Sequence, residues 1–211
     1  VPVLRYIQNM ASNTTRPGRG LMLRNANGLL VPSSDHAHRA AHLSGFPADK
    51  ISILSGAVDL DAFTLGSDEQ LRRRMNLSDN DLLLITVSRQ KPERRQMDLL
   101  EALAQARRQR PDLHLALVGR GEFQAELKLA VERLQLNESV LFAGYAQGDE
   151  LARAFQSCDT SVWLAEGNDG TCRAIGQSLA SGKPVIGARI GAIADALEPH
   201  PLAGWLCKPK D

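Results

Sequence analysis

The chain has 211 residues, of which 43% are hydrophobic and 23% charged, as in an ordinary globular protein that buries a sizeable core. Its 25 basic and 24 acidic residues nearly cancel, which argues against the concentrated basic surface of a nucleic-acid reader. Three cysteines without CxxC spacing, no signal-peptide pattern and no apolar run long enough for a bilayer predict reduced thiols in a cytoplasmic protein.

The first 80 residues contain short apolar segments separated by turns and helical patterns. Strands are predicted at 1–7, 28–34 and 51–54. Helices are predicted at 20–26, at 35–45 and, polar and arginine-rich, within 67–80. The run from Arg72 to Arg74 is expected on the solvated face of that last helix. Because the chain starts within a strand pattern and ends after an apolar run, we expect it to be a piece of a longer protein.

From Asp81 onwards, apolar strands alternate regularly with helices. The predicted strands are 82–88, 113–119, 139–144, 160–165, 184–188 and 204–207, and the predicted helices are 97–109, 123–134, 149–156, 171–180 and a short one near Ile193. This alternation predicts an α/β fold with a Rossmann-like, doubly wound parallel sheet. Trp163 and Trp205 lie in apolar strand patterns and are expected in the core. Ligands of such sheets bind at the carboxyl ends of the strands, here the loops after Val87, Val118, Phe142, Leu164 and Ile186.

The loop after the first of these strands, SRQKPERR, is rich in basic residues. Arg89 and Arg94 stand five positions apart at a strand end, where two guanidinium groups can converge on a phosphate. A solvated basic loop without a ligand is the alternative. The position of the loop at the carboxyl end of a strand favours the phosphate site.

The loop after the next strand is the turn Gly119-Arg120-Gly121. Its glycines allow the backbone to approach a ligand, or simply to make a tight turn. The turn lacks the third glycine and the ribose-binding acid of a dinucleotide fingerprint, which argues against a nicotinamide oxidoreductase.

The segment EGNDGTCR places a loop with two glycines at the start of a predicted helix. Backbone N–H groups at a helix N-terminus form an anion site, and Asp169 is placed to accept hydrogen bonds from sugar hydroxyls. Gln177 follows two helical turns later and can face the same ligand. The alternative is an ordinary helix cap, with Asp169 capping its own helix and Gln177 on a solvated face.

Two further features suggest other chemistry less strongly. His38 and His42 are spaced as in some zinc sites, but no partner motif accompanies them and we expect no metal. Cys172 lies at a predicted helix N-terminus, which stabilises a thiolate. Without a recognisable histidine or asparagine partner, it is expected to be a small residue in a crowded loop.

In order and spacing, these segments resemble the retaining glycosyltransferases of the GT-B fold, family 4. The passage LLVPSSDHAHRAAHLSGFPADKISILSGAVDLDAF is similar to the family's link from acceptor domain to donor domain. VSRQKPERRQMDLLEAL resembles its "Gly-Arg…Lys-Gly…Leu" segment, and LALVGRGE its "Val-Gly-x-Gly" turn. DGTCRAIGQSLASGKPVIGARIGAIAD is similar to a segment written Glu-x7-Glu, Ala-x-Gly-x-Pro-Val and Gly-Gly-x-x-Glu.

The resemblance implies a role for individual residues. Arg89 matches the arginine that holds the donor diphosphate, and Arg94 stands at the position of its lysine partner. Asp169 falls where a glutamate contacts the donor sugar, and Gln177 where a glutamate binds the ribose. The remaining donor-binding positions are Gly119, Gly144 beside the base, and the backbone of Gly170, Thr171 and Cys172.

The resemblance also implies the organisation of the chain and its partners. Residues 1–55 correspond to the end of the acceptor domain, 56–80 to a linker and helix, and 81–211 to a C-terminally truncated donor domain. The implied reaction is metal-independent transfer, without a cofactor, from a nucleotide-diphosphate sugar to a sugar or lipid-linked acceptor. The full-length protein is expected in cell-envelope polysaccharide biosynthesis, with peripheral membrane association, and this piece alone is expected to be inactive.

Two alternatives remain open at this point. Gln177 and Arg94 depart from the family pattern, as expected of a non-catalytic donor-like domain. The second alternative is another GT-B enzyme, either a sugar-nucleotide epimerase or a phosphorylase. A phosphorylase would require a lysine-bound pyridoxal phosphate.

Overall fold

The computed structural model describes residues 4–6, 26–54, 56–165 and 169–209, and the side chains of 4–6, 44 and 169–172 lie outside that description. Two parallel sheets are present within it. The smaller has the order β1-β2-β3 and consists of Leu4–Tyr6, Gly28–Val31 and Ile51–Ile53. Helix α1, Ser34–Ser44, and a 3-10 turn, Ala48–Lys50, connect β2 to β3. The predicted helix at 20–26 falls almost wholly outside the described residues.

The larger sheet has six parallel strands in the order β6-β5-β4-β7-β8-β9. Its strands are β4 Leu82–Val87, β5 Leu113–Val118, β6 Val140–Gly144, β7 Thr160–Trp163, β8 Val185–Ala188 and β9 Gly204–Cys207. The helices are α2 Gln70–Arg74, α3 Gln96–Ala106, α4 Gln124–Arg133, α5 Gly148–Ser157, α6 Asp169–Ala180 and α7 Gly191–Leu197. The prediction of an α/β fold with a parallel, doubly wound sheet is confirmed.

Alternate residues of the central strands enter two cores, one on each face of this sheet. Leu83 and Ile85 pack with Phe155 of α5 and Ile175 of α6 in the first core. On the opposite face the second core joins β5 and β6 to helices α3 and α4, through Leu115, Leu117, Leu100, Leu103 and Leu127. Continuous apolar strands are buried on both faces in this way, which explains why the sequence LLLITV lacks polar alternation.

Two predicted placements are wrong. Arg72 was expected on a solvated face, but it is 8% exposed and donates from Nη2 to the carbonyl oxygens of Ser78 and Asp81, 2.7 Å away in each case. Trp163 is in the core as predicted, whereas Trp205 is 66% exposed. Trp205 lies on β9, at the edge of the sheet, where an apolar strand pattern does not guarantee burial.

The two sheets are tied together at the N-terminus of α1. The backbone N–H and the hydroxyl of Ser34 donate to the two carboxylate oxygens of Asp195 on α7, at 2.6 and 2.5 Å. A carboxylate at a helix N-terminus interacts favourably with the helix dipole. This contact joins residues 161 positions apart and links α1, which connects two strands of the small sheet, to α7 of the larger one.

Cys158 is buried in the first core, and its Sγ donates to the carbonyl oxygen of Phe155 at 3.1 Å. Burial raises the pKa of this thiol to about 12, whereas the pKa of a cysteine in the unfolded chain is about 8.5. The stability that the neutral thiol contributes is therefore complete below the unfolded pKa and is lost as the pH rises towards 12.

We expect the free energy of unfolding to fall between about pH 8.5 and 10, by up to about 1.4 kcal/mol per pH unit from Cys158. Urea denaturation across this range measures it, with Cys158→Ala as the control because it removes the ionising group. Parallel pH profiles of the two proteins would contradict the assignment.

Candidate functional site

A cleft of about 790 Å³ lies at the carboxyl ends of the central strands. From β4 the strands follow one another outward through β5 and β6, and from the neighbouring β7 they follow in the opposite direction through β8 and β9. The order therefore reverses between β4 and β7. Ligands of open α/β sheets bind at such a switch point. Three consecutive strand-end loops line the cleft, through residues 88, 89 and 91, residues 119–122 and residues 145–148. Arg173, Ala174 and Gln177 of α6 line it as well.

The first two of these loops are held together by their backbones. Ser88 N–H donates to the Val118 carbonyl at 3.0 Å, and Gln90 N–H donates to the Arg120 carbonyl at 3.1 Å. A Cβ atom on Gly119 would lie 2.0 Å from the carbonyl oxygen of Ser88, and one on Gly121 would lie 2.1 Å from that of Gln90. The two glycines are therefore required for the close approach of the loops that shape the cleft.

Gln90 sets the direction of its neighbours. Its side chain is 0% exposed, and Nε2 donates to the Gly119 carbonyl at 3.2 Å. Arg89 and Lys91, on either side of it, both line the cleft. Ser88 also lines the cleft, and its hydroxyl oxygen accepts a 3.0 Å hydrogen bond from the buried Gln96 of α3. The hydroxyl proton of Ser88 is thus available to an acceptor in the cleft.

The described lining carries four cationic side chains and one carboxylate. The cations are Arg89, Lys91, Arg120 and Arg173, and the carboxylate is Glu122. The Glu122 carboxylate lies 3.0 Å from the Lys91 ammonium. The pKa of Glu122 is lowered by its own backbone N–H and then by Lys91, with a smaller contribution from Arg89. This excess of positive charge favours the binding of an anion.

An aromatic side chain, Tyr145, also lines the cleft. The Arg120 guanidinium lies over the Tyr145 ring, 4.9 Å from its centroid, and the Tyr145 hydroxyl donates to Oε1 of Gln147 at 3.3 Å. Phe63 reaches the cleft from the segment that crosses over α6, and it packs edge-on against Phe155 with ring centroids 6.2 Å apart. The cleft is therefore cationic along the strand ends and partly apolar at its margins.

The sequence-predicted residues fall into three groups in the structure. Arg89, Gly119 and Gln177 line the cleft. Arg94 ends the 3-10 turn Pro92–Arg94, and neither it nor Gly144 is among the described lining residues. Helix α6 begins at Asp169, so Gly170, Thr171 and Cys172 lie in its first turn, but the side chains of these four residues lie outside the described part.

Sequence reasoning missed several cationic and aromatic lining residues. Lys91 and Arg120 lie in the same strand-end loops as Arg89 and Gly119, and this proximity to a strand end is the signal that identifies them. Arg173 follows the predicted helix start. Phe63 reaches the site from a segment 19 residues before β4, so its distance along the chain conceals its place in the cleft.

The three histidines of α1 contact side chains within or next to that helix. Nδ1 of the buried His36 lies 2.7 Å from the Ser33 hydroxyl, and the rings of His38 and His42 stack with centroids 6.2 Å apart. Across the described ranges, no three His, Cys, Asp or Glu side chains are grouped so that they could hold a metal ion.

A comparison with family models decides the classification of the chain. The model described as glycosyl transferases group 1 matches residues 67–211, more than half of the sequence. The chain belongs to this glycosyltransferase family. The matched region contains all three loops of the cleft and helix α6.

Individual glycosyltransferases of known name are similar over most of this chain. The amylovoran biosynthesis glycosyltransferase AmsK of Erwinia amylovora is 25% identical over 190 residues, which are 88% of this chain and 45% of the relative. The N-acetyl-alpha-D-glucosaminyl L-malate synthase of Bacillus anthracis is 31% identical over 143 residues, 67% of this chain and 36% of the relative. The chain thus spans less than half the length of these glycosyltransferases.

A solved structure supports the same glycosyltransferase fold. Anabaena Alr3699/HepE, crystallised in complex with UDP, aligns with a TM-score of 0.83 at 22% sequence identity, covering 100% of this chain and 59% of that chain. In the portion of the chain that the structure describes, no helix has both the length and the apolar character needed to cross a membrane.

Proposed function

We propose that this chain supplies the donor-binding half of a glycosyltransferase that moves a sugar from a nucleotide-diphosphate sugar to an acceptor. The cationic cleft at the switch point of the sheet carries this proposal, because its side chains match the charge of a diphosphate. Family membership supports the reaction class. The UDP in the HepE crystals supports the kind of donor, and the base itself stays open.

The proposed chemistry places positive charge where the leaving group develops negative charge. When the bond between the anomeric carbon and the diphosphate breaks, the electron pair passes to the departing phosphate oxygen. Arg89 stabilises that oxygen by preorganised charge, and the N-terminal N–H groups of α6 add a helix-dipole contribution. We propose a metal-independent reaction that retains configuration, as in family 4, with Asp169 contacting the donor sugar and Gln177 the ribose.

Calorimetric titration with UDP, GDP and ADP tests the phosphate assignment. We expect at least one of these nucleotides to bind the chain and Arg89→Ala to weaken that binding by about tenfold to a hundredfold, since a hydrogen bond to a charged group contributes about 1.5–3 kcal/mol. Arg108→Ala is the matched control, because Arg108 is exposed at the end of α3. No binding by any nucleotide, or equal affinities for wild type and Arg89→Ala, would overturn the proposal.

A non-catalytic donor-binding domain is the second candidate, and Gln177 is the observation that favours it. Gln177 lines the cleft, but an amide oxygen lacks the charge-assisted hydrogen bond that a carboxylate makes to a hydroxyl. Gln177→Glu in the full-length protein separates the two candidates. A large gain in turnover would show that glutamine at position 177 had reduced the activity, which supports the non-catalytic candidate. Unchanged turnover in an active protein would show that glutamine is tolerated at this position.

The remaining functional proposals concern the whole protein. We propose a cytoplasmic enzyme of cell-envelope polysaccharide biosynthesis, with a sugar or lipid-linked acceptor and peripheral membrane association. The family resemblance and the biosynthetic name of the Erwinia relative support this. An acceptor screen with the full-length protein and a radiolabelled nucleotide sugar tests it, and transfer only to acceptors outside the envelope would contradict it.

A further inference from the structure

Lys91 and Glu122 form an ion pair inside the cleft. Nζ of Lys91 lies 3.0 Å from Oε1 of Glu122, with the two side chains 33% and 68% exposed. The pair joins the loop after β4 to the loop after β5 at the place where both loops face the cleft. An exposed ion pair contributes little to folding stability, but this one lies where a ligand of the cationic cleft would meet it.

The backbone directs Lys91 and Arg89 to the same side. Lys91 has extended dihedral angles, φ −143° and ψ 149°, and in extended chain successive side chains alternate in direction. Gln90 between them is buried and bonded to the Gly119 carbonyl. Its backbone is fixed as well, because the Gln90 carbonyl accepts from Phe123 N–H at 3.2 Å. The anchored Gln90 thereby holds both cations towards the cleft.

Arg94 is placed differently from Lys91. The chain enters the 3-10 turn at Pro92, and Arg94 is the last residue of that turn. Lys91 lines the cleft beside Arg89, whereas Arg94 is not among the described lining residues. Lys91, two positions after Arg89 in the sequence, is therefore a cation of the cleft in its own right.

Glu122 acts on this cation as an anion already in place. Its pKa is lowered, first by its own backbone N–H and next by Lys91, so the carboxylate is charged at neutral pH. A phosphate oxygen that binds Lys91 must displace this carboxylate or share the ammonium with it. Because Glu122 is largely exposed, the displacement costs little but is not free.

We propose that Lys91 is a further cation of the diphosphate-binding site, beside Arg89, and that Glu122 is an internal competing anion for it. This inference rests on the proposed nucleotide-sugar binding and names the residues that tune its affinity. Glu122 holds the Lys91 side chain in the cleft while the site is empty. On binding, the diphosphate replaces the carboxylate on Lys91, and the site exchanges one ion pair for another of higher charge.

The experiment compares calorimetric affinities for whichever of UDP, GDP and ADP binds the wild-type chain best. Lys91→Met is expected to weaken binding about tenfold, and Lys91→Arg to restore most of the loss. Glu122→Gln is expected to tighten binding about threefold, and this gain should vanish in the Lys91→Met background. Lys50→Met, an exposed lysine on the turn before β3, is the matched control and is expected to bind as the wild type does.

The outcomes separate this inference from the proposed function. If no nucleotide binds the wild type, the donor-site proposal fails and this inference fails with it. If Arg89→Ala loses affinity while Lys91→Met does not, only the role of Lys91 is overturned. The role of Glu122 is overturned if Glu122→Gln binds the nucleotide more weakly than the wild type does. It is also overturned if Glu122→Gln raises the affinity equally in the Lys91→Met background.

Discussion

Replacing Gly119 with alanine is expected to lower the free energy of unfolding by about 3–5 kcal/mol, or to prevent folding altogether. The new Cβ atom would lie 2.0 Å from the carbonyl oxygen of Ser88, and Gly119 has a φ of +137°, which L-residues rarely adopt. Neither backbone can retreat easily, because Ser88 N–H is bonded to the Val118 carbonyl and Gly119 N–H to that of Gly144. The ends of three neighbouring strands would have to move.

Two other glycines separate steric clash from backbone strain. Gly121→Ala places a Cβ atom 2.1 Å from the Gln90 carbonyl oxygen without a positive φ, so it reports the clash alone. Gly45→Ala, at the end of α1, has a φ of +65° and no atom within 4 Å of its Cβ position. It should therefore cost only about 1–2 kcal/mol. Urea denaturation measures all three variants, and equal losses for Gly119→Ala and Gly45→Ala would contradict the packing of the two loops.

The architecture of the larger sheet could be predicted from the sequence because its local signals agree with one another. The run LLLITV has no polar alternation, as a strand covered on both faces requires, and a helix follows it after a short loop. The same strand-and-helix pattern recurs through β5, β6 and β7, so the parallel direction of the strands follows without any long-range information. Helix ends shifted by up to three residues, as at α3, where capping does not fix the boundary.

Where the sequence failed, tertiary contacts decided the outcome. A run of three arginines looks solvated, but the helix rotation that turns Leu71 inward also turns Arg72 towards acceptors in the next turn of chain. Trp205 lies in an apolar pattern, but the burial of an edge strand depends on what packs upon it. Neither fact is encoded within a window of a few residues.

The candidate site was only partly predictable for the same reason. Strand-end loops pointed to Arg89 and Gly119, and helical spacing pointed to Gln177, all of which line the cleft. That Lys91 also lines the cleft depends on the burial of Gln90 and on the 3-10 turn that starts at Pro92. Those are properties of packed loops, and residue spacing alone does not contain them.

Replacing Arg72 with alanine is expected to lower the free energy of unfolding by about 2–4 kcal/mol. Its guanidinium binds the carbonyl oxygens of Ser78 and Asp81 from Nη2, and it meets Asp159 from Nη1 at 3.1 Å. The same Asp159 oxygen accepts from Leu83 N–H at 2.7 Å. Arg72 therefore links the turn before β4, the start of β4 and the turn before β7, and its loss leaves carbonyl acceptors unsatisfied.

The adjacent arginine provides the control for this prediction. Arg73 is exposed on the same short helix, so Arg73→Ala removes an equal charge and is expected to change stability by no more than about 0.5 kcal/mol. Arg72→Lys should recover only part of the loss, because an ammonium cannot reproduce the planar fork that reaches three acceptors at once. Equal urea midpoints for the two alanine variants would show that the buried guanidinium adds no net stability. A full recovery by lysine would show that charge alone, without the fork geometry, holds β4 in place against its neighbouring turns.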